Sequence, residues 1–196
     1  MENKEIFDKY TKLFIQENHK VNLISKNDEK LLWEKHICDS LALGLFFDKY
    51  TYPETLLDIG TGGGFPAIPV SIKYPNIKIC AIDSIAKKIR AVETIKNGLN
   101  LQNLTPVCER VEKLEQKFDC VTSRAVASLD KICEYALPKV KKGGYFVAFK
   151  SKKINEEIKT AQKILEKYNA KIVDTIDYEL PTEEKIERYL IVIKVA

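Results

Sequence analysis

The sequence contains no long hydrophobic run and few of the residues that break regular structure. Its 196 residues include only eight glycines and seven prolines, which excludes a fibrous or disordered chain. No stretch approaches the length of a membrane span, and the N-terminal segment is charged from its second residue. These absences predict one soluble globular unit that neither spans a membrane nor carries a secretion signal.

Cysteine is present without the spacings that give it a special role. The five cysteines are odd in number, none forms a C-x-x-C pair, and several lie in hydrophobic runs where a thiol packs as a small hydrophobe. No combination of His, Cys and Asp has the spacing of a metal site. We therefore expect a protein of the reducing cytoplasm that binds no metal.

The chain divides into a helical segment and an alternating segment. Residues 1–52 carry hydrophobic side chains at three- and four-residue steps, and Ser25 with Asp28 resembles a capping box at the start of a second helix. Residues 53–196 alternate between short β-type runs and amphipathic helices, a pattern typical of a mostly parallel sheet covered on both faces. We predict an N-terminal helical cap on an α/β domain, together forming one compact unit.

The alternating segment predicts a doubly wound sheet of six to seven strands. The last two strands are joined by a short polar segment without a helix, so we expect an antiparallel hairpin that leaves a reversed strand at one edge. The predicted strands are 55–59, 77–83, 104–108, 118–123, 144–150, 171–177 and 188–195. The predicted helices begin near residues 66, 85, 110, 129 and 153.

Glycine, which is scarce elsewhere, is concentrated in one loop. The stretch LLDIGTGGGFPAIPV, residues 56–70, places Gly60, Gly62, Gly63 and Gly64 between a buried strand and a helix. Glycine at such a position allows positive φ and lets a ligand approach the backbone. Ligands of open α/β sheets bind at the carboxyl ends of the strands, so the loop predicts a nucleotide-binding site.

Two acidic residues beside the loop narrow the choice of nucleotide. A dinucleotide fingerprint survives only when it is read from Gly62 to Ala67, where alanine is a permitted ending. Asp83 ends the second strand, where a carboxylate can accept both ribose hydroxyls. Asp58 repels a pyrophosphate but can hold the cationic methionine end of S-adenosylmethionine. The sign of this charge favours S-adenosylmethionine, and a nicotinamide-dependent oxidoreductase stays open as an alternative.

Several motifs together resemble the bacterial glucose-inhibited division protein B family. They are DIGTGGGFPAIPV, IDSIAKKIR, RVEKL, VTSRAVASL and LPKVKKGG, preceded by VNLIS and HICDSL, and they cover about residues 20–150. The chain departs from the family at Ala67, where glycine is usual, and at residues 149–151, which read FKS instead of LKG. The resemblance implies a Rossmann-like class I methyltransferase fold, S-adenosyl-L-methionine as cofactor, and methyl transfer to guanine N7 in the 530 loop of 16S ribosomal RNA, at position 527 in the usual rRNA numbering.

The same resemblance assigns cofactor contacts to particular positions. It implies that Gly60 and Phe65 contact the cofactor, that Val111 and Glu112 flank its adenosine, and that Arg124 closes the site. An ordinary helix start, with a glutamate near its positive end, is the alternative interpretation of Val111 and Glu112. The full set of candidate cofactor-binding residues is Asp58, Gly60, Gly62, Gly64, Phe65, Asp83, Ser84, Val111, Glu112 and Arg124.

The absence of several catalytic motifs narrows the range of atoms that could accept the methyl group. The chain has no Pro-Cys pair for attack on a pyrimidine carbon, no Asn- or Asp-Pro-Pro-aromatic turn for an exocyclic amine, and no acid at the end of the fourth strand to activate a ribose hydroxyl. Guanine N7 needs no deprotonation, because its lone pair is exposed on the major-groove edge. Alignment of the reactants, rather than a base, then supplies the rate.

Three residues are candidates for the catalytic site. Arg124 offers planar donors to guanine, to phosphate or to the cofactor carboxylate, and a structural salt bridge is its alternative role. His36 shares one helical face with Asp39 and Ser40, so the three side chains can converge. Lys150 is the third candidate, as a basic group near the expected site.

The expected partner is 16S ribosomal RNA, free or within a small-subunit particle, bound by a monomeric protein. A net charge of +4 permits a polyanionic partner without requiring one. The candidate phosphate contacts, expected on two sides of the crevice, are Lys87, Lys88, Arg90, Lys139, Lys141, Lys142, Lys150, Lys152 and Lys153. A methyltransferase for another RNA or a small metabolite, and a non-catalytic nucleotide- or RNA-binding module, remain alternatives.

Overall fold

The computed structural model describes residues 2–151 and 154–196, and its centre is a seven-stranded sheet. The strands are β1 Thr55–Ile59, β2 Lys78–Asp83, β3 Leu104–Cys108, β4 Phe118–Arg124, β5 Val140–Lys150, β6 Ala170–Leu180 and β7 Ile186–Val195. They lie in the order β3-β2-β1-β4-β5-β7-β6, and every neighbouring pair is parallel except the two that include β7. The predicted α/β class and its mostly parallel sheet are confirmed.

The reversed strand lies one place inside the edge of the sheet, and not at the edge as predicted. β7 pairs antiparallel with β5 on one side and with β6 on the other, so β6 is the edge strand. Residues 190–193 of β7 are fully buried, as suits an interior strand. Most residues of β6 are half-buried or exposed, as suits an edge. The predicted hairpin is confirmed, and the edge assignment within it is wrong.

Helices cover both faces of the sheet. Before β1 the chain forms α1 Glu2–Val21, α2 Lys26–Glu29, a π-helical turn at Trp33–Ile37, α3 Cys38–Leu41 and α4 Leu43–Lys49. After β1 it forms α5 Ala67–Lys73, α6 Ala86–Leu99, α7 Leu129–Ala136 and α8 Ile154–Lys167, with 3-10 turns at Val111–Lys113 and Leu137–Lys139. The helix start predicted near residue 153 falls on residues outside those described.

The helix predicted near residue 110 is wrong, because only one 3-10 turn forms there. Residues 114–117, which follow the turn, read LEQK and contain a single hydrophobic side chain. Such a segment has no hydrophobic face with which to pack a longer helix on the sheet. The chain instead turns and enters β4 directly.

The second helix of the cap begins with the predicted capping box. The amide of Asp28 donates to Ser25 Oγ at 3.1 Å, and the Ser25 hydroxyl donates to the Asp28 carboxylate at 2.7 Å. This exchange satisfies one of the amides that a helix start leaves without a partner. It also fixes the entry of the chain into the turn that carries His36.

The cap and the sheet share one hydrophobic core. One buried cluster combines α1 with β1 and β5 through Phe7, Tyr10, Phe14, Leu56 and Val147. A second cluster lies between the opposite face of the sheet and helices α7 and α8. Gly63 allows a close approach of the cap, because a Cβ atom there would stand 3.2 Å from both Leu23 and Phe14. The boundary at residue 52 stays a proposal, and the shared core predicts that the two parts unfold together.

Truncation of a core residue of the cap tests this coupling. Phe14 is fully buried, so Phe14→Ala is expected to lower the free energy of unfolding by about 3–5 kcal/mol. Unfolding should remain a single transition, with the same midpoint for the fluorescence of Trp33, the one tryptophan of the chain, and for far-ultraviolet circular dichroism. Leu45→Ala, at a side chain 43% exposed, is the control and should change stability by about 0.5 kcal/mol or less. Separate midpoints for the two signals would contradict the shared core.

Candidate active site

Two clefts lie side by side at the carboxyl ends of the parallel strands. The first has a volume of about 390 Å³ and lies over the ends of β1 and β2. The second, of about 490 Å³, lies between the cap, the end of β4 and the hairpin of β6 and β7. Ala125, directly after β4, lines both. The position agrees with the rule that open α/β sheets bind ligands at this end.

The first cleft brings together many of the predicted cofactor-binding residues. Its walls include Gly60, Asp83, Ser84, Val111 and Glu112. They meet there because β1, β2 and β3 are parallel neighbours, so the loops that follow them open on the same edge. Further lining residues that the sequence did not identify are Ile59, Ile82, Glu109, Arg110, Val126, Ile132 and Tyr135. These carry no motif, and only the fold places them beside the glycine loop.

Asp83 is oriented by the backbone on both of its oxygens. Its Oδ2 accepts from the amide of Gly62 at 3.0 Å, and its Oδ1 accepts from the amide of Ile85 at 2.9 Å. A carboxylate oxygen has more than one acceptor site, so each keeps capacity for a further donor. The carboxylate is thus fixed in direction and can still accept hydroxyl groups from a ligand in the cleft.

The glycines of the loop have different structural tasks. Gly60 has φ +69 and lines the first cleft, and a Cβ atom there would stand 2.5 Å from Val126 Cγ2. Gly64 has φ +90, and a Cβ atom there would stand 2.4 Å from Ile68 Cδ1 of α5. Gly62 and Gly64 line neither cleft. They shape the turn and the packing of α5, while Gly60 exposes backbone to the cleft.

Asp58 is a fully buried carboxylate behind the glycine loop. Neither of its oxygens has a hydrogen-bond partner among the described residues, and the same holds for the buried hydroxyl of Thr61. Burial raises the pKa of Asp58 to about 7, although Thr61, the positive charge of Arg124 and the amide of Ala67 partly oppose the shift. Neither Thr61 nor Ala67 reaches hydrogen-bonding geometry with it. Asp58 lines neither cleft. The predicted effect of Asp58 on a ligand therefore has to act through its charge, from beneath the glycine loop.

Phe65 is the centre of an aromatic cluster, and its side chain faces neither cleft. Its ring lies 5.0 Å from that of Phe14 and 5.1 Å from that of His36, measured between centroids. The guanidinium of Arg124 lies 5.0 Å from the centre of the same ring, within cation–π range. Only 4% of Phe65 is exposed. Phe65 lines neither cleft, so the structure does not bring the cofactor contact implied for it into either one.

Arg124 joins the end of β4 to the cap in the second cleft. Its guanidinium donates to Asp39 Oδ2 at 2.9 Å and to His36 Nδ1 at 3.1 Å, with a longer contact to the carbonyl of Lys35 at 3.4 Å. The other Asp39 oxygen accepts from the Tyr178 hydroxyl of β6 at 2.6 Å. The structural salt bridge considered for Arg124 is therefore present, and the same side chain also lines the cleft.

His36 is a neutral acceptor in this network. Burial, followed by the positive charge of Arg124, lowers the pKa of His36 to about 4. Because Nδ1 accepts from Arg124, the ring proton is on Nε2, a buried atom without a partner among the described residues. His36 and Asp39 converge on Arg124 as predicted. Ser40 does not, because its hydroxyl donates to the carbonyl of His36 at 2.6 Å within the helix.

Lys150 lines the second cleft but has two internal partners. Its ammonium donates to the carbonyl of Ala127 at 2.8 Å and to Glu157 Oε2 at 2.6 Å. Glu157 was not among the predicted residues, because a glutamate in the first turn of an amphipathic helix has no distinguishing sequence signal. The contacts argue against a free ammonium that could take part directly in chemistry.

The fold places the predicted RNA-contacting residues at different ends of the sheet. Lys88 lines the first cleft, from the first turn of α6. Lys141 and Lys142 lie at the start of β5, at the opposite end of the sheet from both clefts, so their predicted place beside the crevice is wrong. Lys139 instead donates to the carbonyl of Glu112 at 3.3 Å and supports the 3-10 turn. Lys152 and Lys153 lie outside the described residues, and Lys35 and Arg188, which line the second cleft, were missed.

Two further findings concern residues 2–151 and 154–196 alone. Within them, His, Cys, Asp and Glu form no group of three or more that could hold a metal ion. Over the same ranges, no helix is long and hydrophobic enough to cross a membrane.

The charge state of His36 can be measured directly. With its pKa at about 4, the ring signals of His36 in NMR spectra should not move between pH 8 and pH 5.5, and His19→Gln identifies them because the chain has only two histidines. The unfolded chain takes up a proton near pH 6.5 that the folded chain refuses until about pH 4. His36 therefore lowers the free energy of unfolding progressively as the pH falls between these values. Titration of His36 near pH 6.5 in the folded protein would contradict this assignment. Arg124→Gln should raise the pKa of His36 without restoring it to 6.5, because the burial remains.

Comparison with known proteins identifies the family of this chain. The family model GidB, described as rRNA small subunit methyltransferase G, matches residues 3–183. The ribosomal RNA small subunit methyltransferase G of Staphylococcus saprophyticus is 39% identical over 192 residues, which are 95% of this chain and 80% of the relative. That of Staphylococcus aureus strain Newman is 37% identical over 195 residues, with 97% and 81% covered.

Solved structures are similar in fold at low sequence identity. A SAM-dependent O-methyltransferase from Thermotoga maritima gives a TM-score of 0.59 at 15% identity, over 81% of this chain and 65% of that one. M. jannaschii TYW2 in complex with AdoMet gives 0.56 at 21% identity, over 72% and 67%. Both support the class I methyltransferase fold alone. The family match and the curated relatives confirm the resemblance found in the sequence motifs, and the chain belongs to the rRNA small subunit methyltransferase G family.

Proposed function

We propose that this protein transfers a methyl group from S-adenosyl-L-methionine to N7 of a guanine in the 530 loop of 16S ribosomal RNA. Its family is that of S-adenosylmethionine-dependent rRNA methyltransferases. The choice of guanine, of its N7 atom and of the 530 loop goes beyond what the family shows and belongs to the proposal. The observation that supports this choice is that each basic side chain described in the second cleft is held by a hydrogen bond or an ion pair.

The second cleft offers no free general base among its described residues. His36 accepts from Arg124, and Lys150 is paired with Glu157. Asp39 accepts from Arg124 and Tyr178, and Asp28 accepts from Ser25 and lies 3.4 Å from Lys35. A hydroxyl or exocyclic amine acceptor has to lose a proton during methylation, whereas guanine N7 attacks with a lone pair that is already exposed. The cleft therefore suits N7 better than these other acceptors.

The first cleft fits the adenosine of the cofactor. Asp83 is oriented to accept the two ribose hydroxyls, and Val111 and Glu112 give a hydrophobic wall beside a polar edge for adenine. Gly60 allows the ligand to lie against the backbone. Asp58, whose buried charge has no hydrogen-bonded counterion, supports a ligand with positive charge at its methionine end. A pyrophosphate would add negative charge at the same place, which disfavours a nicotinamide dinucleotide.

Catalysis by this chain consists mainly of positioning. When bound, the cofactor supplies an activated methyl group whose transfer to a ring nitrogen leaves no proton to remove. Arg124 has five N–H donors, of which the contacts with Asp39, His36 and Lys35 use only a part. Arg124 also lines the second cleft, so we propose that its remaining donors hold guanine O6 or the cofactor carboxylate. Alignment of this kind accounts for large rate enhancements without acid–base chemistry.

The rim of the second cleft supports an RNA substrate. Lys35 of the cap and Arg188 of β7 both line it, on opposite walls, so a phosphate on either side of an unpaired base can meet a cation. Recognition of a base in a loop requires that the base be unstacked. We further propose that the protein acts as a cytoplasmic monomer, since its substrate is made in that compartment and residues of this one chain line both clefts.

Mapping of the methyl group tests this function. Small-subunit particles from a strain that lacks the enzyme are incubated with the protein and radiolabelled S-adenosylmethionine, then treated with borohydride and aniline, which cleave at 7-methylguanosine. We expect a new cut within the 530 loop. Label without a cut indicates another atom of the RNA, a cut elsewhere indicates another site, and absence of label from RNA rejects the assignment.

A matched variant links the reaction to the first cleft. Asp83→Ala removes two charge-assisted hydrogen bonds to ribose, worth roughly 1.5–3 kcal/mol each, so the affinity for S-adenosylhomocysteine should fall at least about tenfold. Thermal unfolding serves as the control for an intact fold. Unchanged affinity in a folded Asp83→Ala protein contradicts the placement of the ribose.

A further inference from the structure

The segment 125–128, between β4 and α7, separates the two clefts. Ala125 lines both of them, Val126 lines the first, and Ala127 lines the second. Ala125 has φ +56, in the left-handed region that residues with a Cβ atom rarely adopt. Such a conformation persists only where the surroundings over-determine it. The contacts that hold this segment therefore help to set the geometry of both clefts.

Two hydrogen bonds hold the C-terminal end of the segment, one at Ala127 and one at the following residue Leu129, and one ion pair connects them. Lys150 donates to the carbonyl of Ala127 at 2.8 Å, and Glu157 Oε2 accepts from the amide of Leu129 at 2.8 Å. The same Glu157 oxygen lies 2.6 Å from Lys150 Nζ. Lys150 is on β5 and Glu157 on α8, so two separate elements hold one short segment through a single charged pair.

Glu157 also completes the start of α7. Ser128 occupies the N-cap position of that helix, but its side chain makes no capping hydrogen bond. The amide of Leu129 is one of those that a helix start leaves unsatisfied, and the carboxylate of Glu157 satisfies it from a neighbouring helix. The negative charge there is also favourable next to the positive end of α7. Removal of the carboxylate thus affects Leu129, the first residue of α7, which directly follows the segment.

The pair is shielded enough to act as a structural link. The side chain of Lys150 is 10% exposed and that of Glu157 is 26% exposed. Solvent and salt weaken such a pair less than an exposed one such as Lys185 and Glu179, which are 80% and 53% exposed. The ammonium of Lys150 would have to leave both Ala127 and Glu157 to reach a substrate.

We propose that Lys150 and Glu157 form a latch that fixes segment 125–128, and that Glu157 is a positioning residue for methyl transfer. The proposal rests on the proposed function for its kinetic part only. It replaces the catalytic role predicted for Lys150 with a structural one. The latch sets the geometry of the wall shared by the cofactor cleft and the target cleft, and a small displacement of that wall misaligns the two reactants.

Hydrogen exchange tests the latch without any assumption about the reaction. Glu157→Gln removes the ion pair and weakens the acceptor for the amide of Leu129. Exchange at that amide should become roughly tenfold faster or more, with smaller increases across residues 125–128. Glu156→Gln, at an exposed residue of the same helical turn, is the matched control and should leave exchange unchanged. Equal exchange in the two variants overturns the proposal.

A double-mutant cycle then separates positioning from direct catalysis. If the latch acts as a unit, Glu157→Gln and Lys150→Met each lower kcat by roughly tenfold, KM for the RNA changes by less than about twofold, and the double variant resembles either single one. If Lys150 itself acts on the substrate, Glu157→Gln frees it and leaves kcat unchanged while Lys150→Met abolishes turnover, which overturns the proposal. If Lys150→Met does not fold, the kcat and the hydrogen exchange of Glu157→Gln still distinguish positioning from direct catalysis. Loss of the exchange effect refutes the latch, whereas an inactive wild-type protein with an intact exchange effect refutes only the proposed function.

Discussion

The structure depends on one guanidinium, that of Arg124, which bonds Asp39 directly and acts on Asp58 only through its charge. Arg124 hydrogen-bonds Asp39 at 2.9 Å, and Tyr178 satisfies the other Asp39 oxygen. Asp58, which is also fully buried, feels the charge of Arg124 but has no hydrogen-bonded partner among the described residues. Since burial of an uncompensated charge is costly, Asp58 holds a proton more firmly, and its pKa rises to about 7.

The difference between Asp39, which Arg124 bonds, and Asp58, which has no hydrogen-bonded partner among the described residues, connects the fold to the proposed chemistry. Because Arg124 is bonded to residues of the cap, it joins the cap to the end of β4 across the second cleft. Asp58 has no hydrogen-bonded partner among the described residues, and under the proposed function a cofactor with positive charge above the glycine loop compensates it. The same arrangement that stabilises the cap therefore leaves the carboxylate beneath the loop ready for a cationic ligand.

The sequence predicted the frame of the molecule better than its internal contacts. The glycine loop and the strand that ends at Asp83 were recognisable because backbone conformation and chain order constrain them locally, and the motif around Arg124 was recognisable from the family resemblance. The edge position of β6 was not, because the choice between two adjacent strands of a hairpin depends on which one the rest of the sheet buries. Glu157 and Tyr178 were missed for a related reason, since each acts on a residue distant in sequence and has no local pattern.

Some predicted residues changed their meaning once the fold was known. Phe65 packs among aromatic rings and not into a cleft, and Gly64 serves the packing of α5. Lys150 was chosen for its charge near the site, and the structure gives that charge two internal partners. Composition and spacing identify which chemical groups are available, but only three-dimensional contacts show which of them remain free to act.

The central claim is that Asp58 balances the positive charge of the bound cofactor, and calorimetry at pH 7 tests it most directly. Titration with S-adenosylmethionine, which carries both a sulfonium and an ammonium group, in buffers of different ionisation enthalpy and without RNA gives the number of protons exchanged on binding. With a pKa at about 7, Asp58 is about half protonated in the free protein, so the account predicts release of about half a proton. Asp58→Asn should abolish this release and weaken binding. Tight binding with no proton release, or the same release from the variant, would contradict the account.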